Sequence, residues 1–210
     1  MPAARGEPNV RSVFSVRIHG RGGQGVVTAA ELLASAAFAD GLEAQAFPSF
    51  GSERMGAPVI AFCRVDERAI RLREPVVEPD AVIVQDPTLL HQVDVFAGLA
   101  PDGYALINSG RSLDQLRLEE LRARVCPEHL VTVPASELAR AHLGRPIPNV
   151  PLLGAFAALT SVISSAALEQ AIRARFSGPA LEGNLAAGRE AFERLRSRAG
   201  APKATHARAA

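Results

Sequence analysis

The pattern of apolar and polar residues changes from a strand period to a helix period near the start of the chain. Val16 and Ile18 alternate with polar neighbours, which is typical of a strand with one buried face. Residues 24–40 are good helix formers with apolar side chains at helical spacing. Glycines within residues 20–25 separate the two segments, so the sequence predicts the strand, turn and helix that open a βαβ unit.

Strand and helix patterns alternate through most of the remaining chain. Further strands are predicted at Glu43–Phe47, Val59–Val65, Ala81–Gln85, Tyr104–Ile107 and His129–Val133, with a short antiparallel strand at Ala69–Leu72. Helices are predicted from Asp86 to about Phe96, after a Ser112–Gln115 capping box, from a Ser136 cap to Gly144, and at Leu152–Ile163, Ser165–Phe176 and Leu181–Leu195. This order predicts an α/β fold: a single domain with a Rossmann-like, mostly parallel sheet, helices on both faces and a helical C-terminal segment.

Length and composition indicate one globular domain between two extensions. The chain has 210 residues, of which 48% are hydrophobic, enough for one well-packed core but short for two. Residues 1–12 are predicted to be a flexible leader, residues 13–197 the domain, and residues 198–210 a disordered tail.

Charge and cysteine content limit the classes of partner. A formal net charge of +1, one Tyr and no Trp give no basis for a nucleic-acid or anionic-membrane partner. The apolar stretch at residues 151–163 is too short to span a bilayer. Cys63 and Cys126 stand alone, without the spacing of a zinc or iron–sulfur site. We therefore expect a cytoplasmic protein with free thiols, without nucleic-acid or membrane partners.

The glycine turn is the first candidate binding site. Its G-x-G-x-x-G spacing places the N-terminus of a helix, with unpaired N–H groups, beside a flexible loop, which favours an anion or a polarised group of a partner. NAD(P) binding would need an acidic residue at the end of the second strand, and neither Glu43 nor Glu53 is well placed. A stand-alone NAD(P)- or FAD-binding enzyme therefore stays an alternative. The residues predicted for this glycine loop are Gly20, Arg21, Gly22, Gly23, Gln24 and Gly25.

Polar residues at other strand ends predict a crevice at the carboxyl edge of the sheet. Asp86 and Asn108 follow two predicted strands and are assigned to the crevice rim, although each one separately is better explained as a helix cap or turn residue. The loop after the second strand carries two phenylalanines that are costly to expose unless a partner covers them. The predicted interface or coenzyme A-proximal loop comprises Phe47, Phe50, Gly51, Ser52, Glu53, Arg54 and Gly56.

No catalytic constellation is predicted in this chain. His19 precedes the glycine turn and is interpreted as a structural, hydrogen-bonded residue. The other histidines lack a neighbouring Cys, Asp or His at metal or nucleophile spacing. The sequence also lacks a G-x-S-x-G elbow and a P-loop lysine, so its loops indicate recognition rather than chemistry.

Five blocks in order resemble the gamma subunit of pyruvate or 2-oxoacid:ferredoxin oxidoreductases. The resemblance extends over residues 13–197, which it identifies as a gamma-type domain of these enzymes. One departure is Met55, where the family usually has a second arginine. The blocks are GRGGQGVVTAAELLA (20–34), FPSFGSERMGAPVIAFCRV (47–65), EPDAVIVQD (78–86), NVPLLGAFAALT (149–160) and AIRARFSG…EGNLAAGREAFE (171–193).

The resemblance implies a subunit of an enzyme that oxidatively decarboxylates a 2-oxoacid with coenzyme A and passes electrons to ferredoxin or a similar acceptor. In such complexes thiamine diphosphate and Mg²⁺ lie between alpha and beta subunits, and a ferredoxin-like delta subunit often carries [4Fe-4S] clusters. The chain alone would then bind no cofactor, and its glycine loop and the loop after the second strand would face the catalytic subunits or the coenzyme A access region. A non-catalytic assembly scaffold stays a further alternative.

Overall fold

A computed structural model of the chain describes residues 13–49, 56–72 and 74–198. Six strands form one sheet in the order β2-β3-β1-β4-β5-β6. Among these described strands, β3 alone runs antiparallel to its neighbours, so the predicted mostly parallel α/β sheet is confirmed. The strands are β1 (Phe14–Arg21), β2 (Glu43–Pro48), β3 (Pro58–Asp66), β4 (Ala81–Val84), β5 (Tyr104–Asn108) and β6 (Leu130–Val133).

The helices cover the two faces of the sheet unequally. The first face packs against α1, α3, α4, α5 and α6, whereas α2 and short 3-10 turns lie on the second face. The described helices are α1 (Val26–Ala39), α2 (Glu119–Arg124), α3 (Ala135–Leu143), α4 (Asn149–Thr160), α5 (Ser165–Arg175) and α6 (Gly178–Arg198). The 3-10 turns are Pro87–His91, Asp114–Leu116 and Pro127–His129. None of the helices in these described residues has the length and apolarity needed to cross a bilayer.

Helix α4 lies at the centre of the larger core. It is apolar on all sides, and its residues from Asn149 to Ala158 are buried, as expected for a helix covered on every face. Gly154 permits its contact with α6, because a Cβ there would overlap the main chain of Gly188. The helix begins three residues before the predicted Leu152 and ends at Thr160, where the following Ser161 has a left-handed φ of 54°.

The second face contains a buried arginine whose guanidinium is surrounded by main-chain carbonyl groups. The guanidinium of Arg17 donates to the carbonyl oxygens of Val76 (3.2 Å), Val77 (3.3 Å), Val95 (3.0 Å) and Ala97 (2.5 Å). Its Nε donates to the Nε2 of His19 at 3.0 Å, so that this imidazole must be neutral. The prediction that His19 is a hydrogen-bonded structural residue is confirmed.

Arginine–carbonyl contacts explain two elements that were predicted wrongly. The helix expected to reach Phe96 ends as a 3-10 turn at His91, because the carbonyls of residues 95 and 97 bind Arg17 instead of continuing a helix. The strand expected at Ala69–Leu72 does not form. The carbonyls of Leu72 and Glu74 accept hydrogen bonds from Arg64, which draws this segment across the sheet face.

The residues predicted to end or cap helices were identified correctly at three positions. Gly41 follows the end of α1 with a φ of 80°, and Gly144 ends α3 with a φ of 68°. The Ser112–Gln115 capping box forms with reciprocal hydrogen bonds, although the helix that it opens is a 3-10 turn. Cys63 and Cys126 are free thiols, and burial raises the pKa of Cys63 to about 12. The predicted leader and nearly all of the predicted tail lie outside the described residues.

Acid is expected to destabilise the fold through His19. Burial, followed by the positive charge of Arg17, lowers the pKa of His19 to about 4. The unfolded chain protonates this imidazole below a pKa of about 6.5 while the folded chain does not, so its contribution is complete above that pH and is lost as the pH falls toward 4. We expect a loss of about 2.5 kcal/mol in unfolding free energy between pH about 7.5 and about 4.5, measured with urea.

The variant His19→Gln supplies the control for this prediction. Glutamine retains an acceptor for the Nε of Arg17 but does not titrate. The unfolding free energy of this variant should therefore change much less over the same pH range. An identical pH dependence in the two proteins would show that other groups cause the acid sensitivity.

Candidate functional site

The candidate site lies where the sheet changes direction. From β1 the chain crosses by α1 to β2 on one side, whereas from β4 it proceeds to β5 and β6 on the other. The carboxyl ends of β1 and β4 therefore border a crevice at the topological switch point, which is where doubly wound folds bind ligands. Gly20 and Arg21 end β1, and Gln85 and Asp86 follow β4.

Glycines bring α1 close to the end of β1. A Cβ on Gly20 would lie 2.6 Å from the Cγ2 of Val26, so a larger residue would push the helix away from the strand. Gly23 and Gly25 adopt left-handed φ values of 91° and 73°. Gly25 precedes the first residue of α1, and no side chain in the described residues caps that helix N-terminus. The predicted tight turn is therefore confirmed.

The crevice between β1 and β4 is bridged by a side chain of the protein itself. The Nε2 of Gln24 donates to the Oδ2 of Asp86 at 2.8 Å, and its Oε1 accepts from the backbone N–H of Arg21 at 2.8 Å. The Nε of Arg21 lies 3.2 Å from the same carboxylate oxygen of Asp86. One amide and one ion pair therefore join the glycine loop to the end of β4.

Asp86 is held as a carboxylate and also begins the following turn. Its Oδ1 accepts from the backbone N–H of Thr88 at 2.9 Å and from the Oγ1 of Thr88 at 2.6 Å. Burial raises the pKa of Asp86, but the hydrogen bonds from Thr88 and Gln24 and the charge of Arg21 outweigh it, and the net pKa is below its ordinary value. The prediction that Asp86 serves as a cap is confirmed, and its contacts with Gln24 and Arg21 bring it beside the end of β1.

Arg21 connects the crevice to the end of the β2–β3 loop. Its Nη1 donates to the carbonyl of Gly56 at 3.0 Å, and its Nη2 donates to Thr88 and Gln92 at 2.9 and 3.0 Å. The backbone N–H of Gly22 donates to the carbonyl of Ala57 at 3.0 Å. The glycine loop, the start of β3 and the turn after β4 are thereby tied together.

Asn108 caps a helix from a neighbouring strand. Its Oδ1 accepts from the backbone N–H of Ser136 at 3.0 Å, and its Nδ2 donates to the carbonyl of Gln85 (2.7 Å) and the Oγ of Ser136 (2.8 Å). The prediction that Ser136 caps this helix is wrong, because α3 begins at Ala135 and Ser136 already lies in its first turn. The capping oxygen comes instead from β5, which no local pattern could reveal.

The structure places the other predicted residues in two groups. The glycine loop, Gly56, Asp86 and Asn108 gather at the carboxyl edge of the sheet. Phe47 lies on β2, where its ring is 5.2 Å from that of Phe62 and 5.2 Å from the guanidinium carbon of Arg64. Phe50, Gly51, Ser52, Glu53, Arg54 and the Met55 departure lie outside the described residues.

Three residues of this site were left out of the predicted crevice. Thr88 and Gln92 both accept hydrogen bonds from Arg21, and Gln85 is buried behind the crevice. The Asp-Pro-Thr sequence signals a capped turn and could have indicated Thr88. Gln92 has no local signal, because its role depends on Arg21, a residue distant in sequence.

The charge and contacts of the crevice disfavour a dinucleotide. Asp86 adds a carboxylate where a diphosphate would lie, and Gln24 fills the space in front of it. β2 ends at Pro48 without an acidic residue to bind ribose hydroxyls. Within residues 13–49, 56–72 and 74–198, no three His, Cys, Asp or Glu side chains are close enough to hold a metal ion.

Comparisons with known proteins agree on one family. The family model described as pyruvate ferredoxin/flavodoxin oxidoreductase matches residues 15–194. The pyruvate/ketoisovalerate oxidoreductases common subunit gamma of Pyrococcus abyssi is 48% identical over 182 residues, covering 87% of this chain and 97% of that protein. The pyruvate synthase subunit PorC of Methanosarcina barkeri is 52% identical over 159 residues, covering 76% of this chain and 84% of that protein.

A solved structure shows the same similarity in three dimensions. The crystal structure of the pyruvate oxidoreductase subunit PORC from Thermotoga maritima matches with a TM-score of 0.74 at 34% identity. The match covers 87% of this chain and 97% of that chain. The architecture described above is therefore found in an experimental structure of a similar protein.

Removal of the Asn108 side chain is expected to destabilise the fold more than removal of the Ser136 hydroxyl. Asn108→Ala takes away the cap of α3 and the bond to the Gln85 carbonyl, with an expected loss of about 2 kcal/mol. Ser136→Ala should cost less than about 1 kcal/mol, because Asn108 retains its other partners. Urea unfolding of both variants measures the difference. Equal losses would contradict the assignment of Asn108 as the cap.

Proposed function

The chain belongs to the pyruvate ferredoxin/flavodoxin oxidoreductase family, and we propose that it is the gamma subunit of a 2-oxoacid:ferredoxin oxidoreductase complex. The proposed complex decarboxylates a 2-oxoacid oxidatively, transfers the acyl group to coenzyme A, releases CO₂ and passes electrons to ferredoxin or a similar acceptor. The free, reduced thiols of the chain are consistent with a cytoplasmic location. A turnover assay of the intact complex with pyruvate, branched-chain, aromatic and 2-oxoglutarate substrates would identify the oxoacid.

The contacts that close the crevice are the observation that supports this proposal. Gln24 and Arg21 bind Asp86 and close the position at which a doubly wound enzyme would hold its own nucleotide. A stand-alone NAD(P) or FAD enzyme therefore has less support than a subunit that presents this edge to other proteins. The glycine loop supplies an uncapped helix N-terminus and main chain that a partner can approach closely.

The proposed cofactors of the complex do not fit the donor groups of this chain. A [4Fe-4S] cluster takes four thiolates, whereas the whole chain contains two cysteines. The thiol of Cys63 is buried within β3, and burial raises its pKa to about 12. We therefore assign thiamine diphosphate, Mg²⁺, the iron–sulfur clusters and coenzyme A to sites formed by companion alpha, beta and ferredoxin-like delta subunits.

The interface is assigned to the glycine loop and the neighbouring β2–β3 connection. Phe47 and Gly56 stand at the two ends of this connection, which includes Phe50, Ser52, Glu53 and Arg54. Arg21 binds the carbonyl of Gly56, so the connection is anchored to the crevice edge. The partner surface and the crevice rim are therefore proposed to form one continuous contact with the catalytic subunits.

Reconstitution is expected to show that turnover requires the companion subunits. The isolated chain should not oxidise any 2-oxoacid, because its polar groups at the crevice are bonded to one another. Mixing it with the alpha, beta and delta subunits should restore coenzyme A-dependent reduction of ferredoxin. Turnover by the chain alone, or saturable binding of NAD(P) that Gly22→Val abolishes, would contradict the proposal.

The substitution Arg54→Ala separates an active interface from a passive scaffold. If the loop contributes to the reaction centre, the fully assembled complex should turn over at least about tenfold more slowly, since a charged hydrogen-bonding group is lost. The control Arg196→Ala changes an exposed arginine in the last turn of α6 and should leave turnover unchanged. Unaltered turnover of an assembled Arg54→Ala complex would support the scaffold instead.

A further inference from the structure

Gln85 is a buried polar residue whose side chain has no hydrogen-bond partner in the described part of the chain. Its side chain is 1% exposed, and neither its Oε1 nor its Nε2 forms a hydrogen bond with the described residues. The neighbouring polar side chains at the rim, Asp86 and Asn108, are in contrast fully engaged. An unpaired buried amide destabilises a protein, whereas an apolar side chain of the same shape would not. Stability of the fold therefore does not explain the presence of this residue.

The side chain of Gln85 leaves the sheet on the face that carries the start of α1. The Cβ of Gln85 and the Cγ2 of Val26 lie 3.2 and 2.6 Å from the point where a Cβ of Gly20 would be. On its other side, Asn108 binds the main chain of Gln85 and caps α3. Among the described residues, no side chain caps the first turn of α1 in this way. The helix N-terminus without a side-chain cap and the unpaired amide of Gln85 therefore belong to the same edge of the sheet.

We propose that Gln85 and the first turn of α1 form a binding site for a main-chain peptide group of a catalytic subunit. A peptide carbonyl can accept from the N–H groups of α1 and from the Nε2 of Gln85, while the adjoining peptide N–H donates to the Oε1 of Gln85. An anion would satisfy the donors but leave the Oε1 unpaired. The proposal rests on the proposed function, because it requires the subunit complex.

The residues in front of Gln85 can admit such a segment. Gly22 and Gly23 have no side chains, so the main chain of a partner can approach closely. The side chain of Gln24 covers the site, with its Oε1 3.0 Å from the position of a Gly20 Cβ. Gln24 is held by hydrogen bonds to the Arg21 N–H and to Asp86, so a peptide reaches Gln85 only after this side chain has turned aside. Asp86 keeps its hydrogen bonds from Thr88 and its ion pair with Arg21 when Gln24 moves, so the carboxylate stays paired.

The substitution Gln85→Met tests this site, because methionine keeps the approximate shape and removes the amide. The full chain should become more stable, with its Tm raised by roughly 2–6 °C. Its affinity for the alpha and beta subunits should fall at least about tenfold, measured by analytical ultracentrifugation or titration calorimetry. The same change at Gln170, which is exposed on α5, is the matched control and should alter neither quantity.

The other outcomes overturn the inference in distinguishable ways. A less stable Gln85→Met chain with wild-type affinity would show that an internal water satisfies the amide. Unchanged affinity with a raised KM for coenzyme A would assign the amide to an amide group of coenzyme A rather than to a subunit. If the wild-type chain itself neither assembles nor restores turnover, the proposed function fails, independently of Gln85.

Discussion

The close approach of α1 to β1 at Gly20 determines how the edge of the sheet is built. Since a side chain at this position would collide with Val26, only glycine lets the helix begin directly above the strand end. Because the helix begins there, Gln24 reaches Asp86 across the gap between β1 and β4. Arg21 reaches the same carboxylate from the end of the strand. The absence of one side chain thereby sets the geometry of the crevice and of every contact around it.

Most polar groups at the carboxyl edge of the sheet form hydrogen bonds with other groups of the same chain. In a nucleotide-binding protein of this architecture, such groups would bind the ligand instead. Asp86 binds its own turn and the glycine loop, and Asn108 caps α3. On the second face, Arg17 stabilises two irregular segments through their carbonyl groups. Gln85 is the exception among the described residues of this edge, and its unpaired amide is the basis of the proposed contact with a catalytic subunit.

The sequence predicted those features that depend on neighbours along the chain. The strand and helix periods, the glycine turn, the stop signals at Gly41 and Gly144 and the capping box were read correctly, and so was the resemblance to the family. The errors occurred where a side chain distant in sequence forms hydrogen bonds with the backbone carbonyl groups of a segment. Arg17 and Arg64 removed a predicted helix end and a predicted strand, because a buried guanidinium must be surrounded by acceptors.

The sequence by itself determined most of the strands and helices, their order and the small-residue turn at the switch point, since each of these depends on local periodicity and backbone freedom. The tertiary structure decided that β3 is reversed, that Asn108 rather than Ser136 caps α3, and that the crevice is closed by Gln24 and Asp86. Each of these features joins groups brought together by folding, 28 residues apart for the cap and 62 for the closure. Such contacts form because buried polar groups need partners, and the fold selects which partner is within reach.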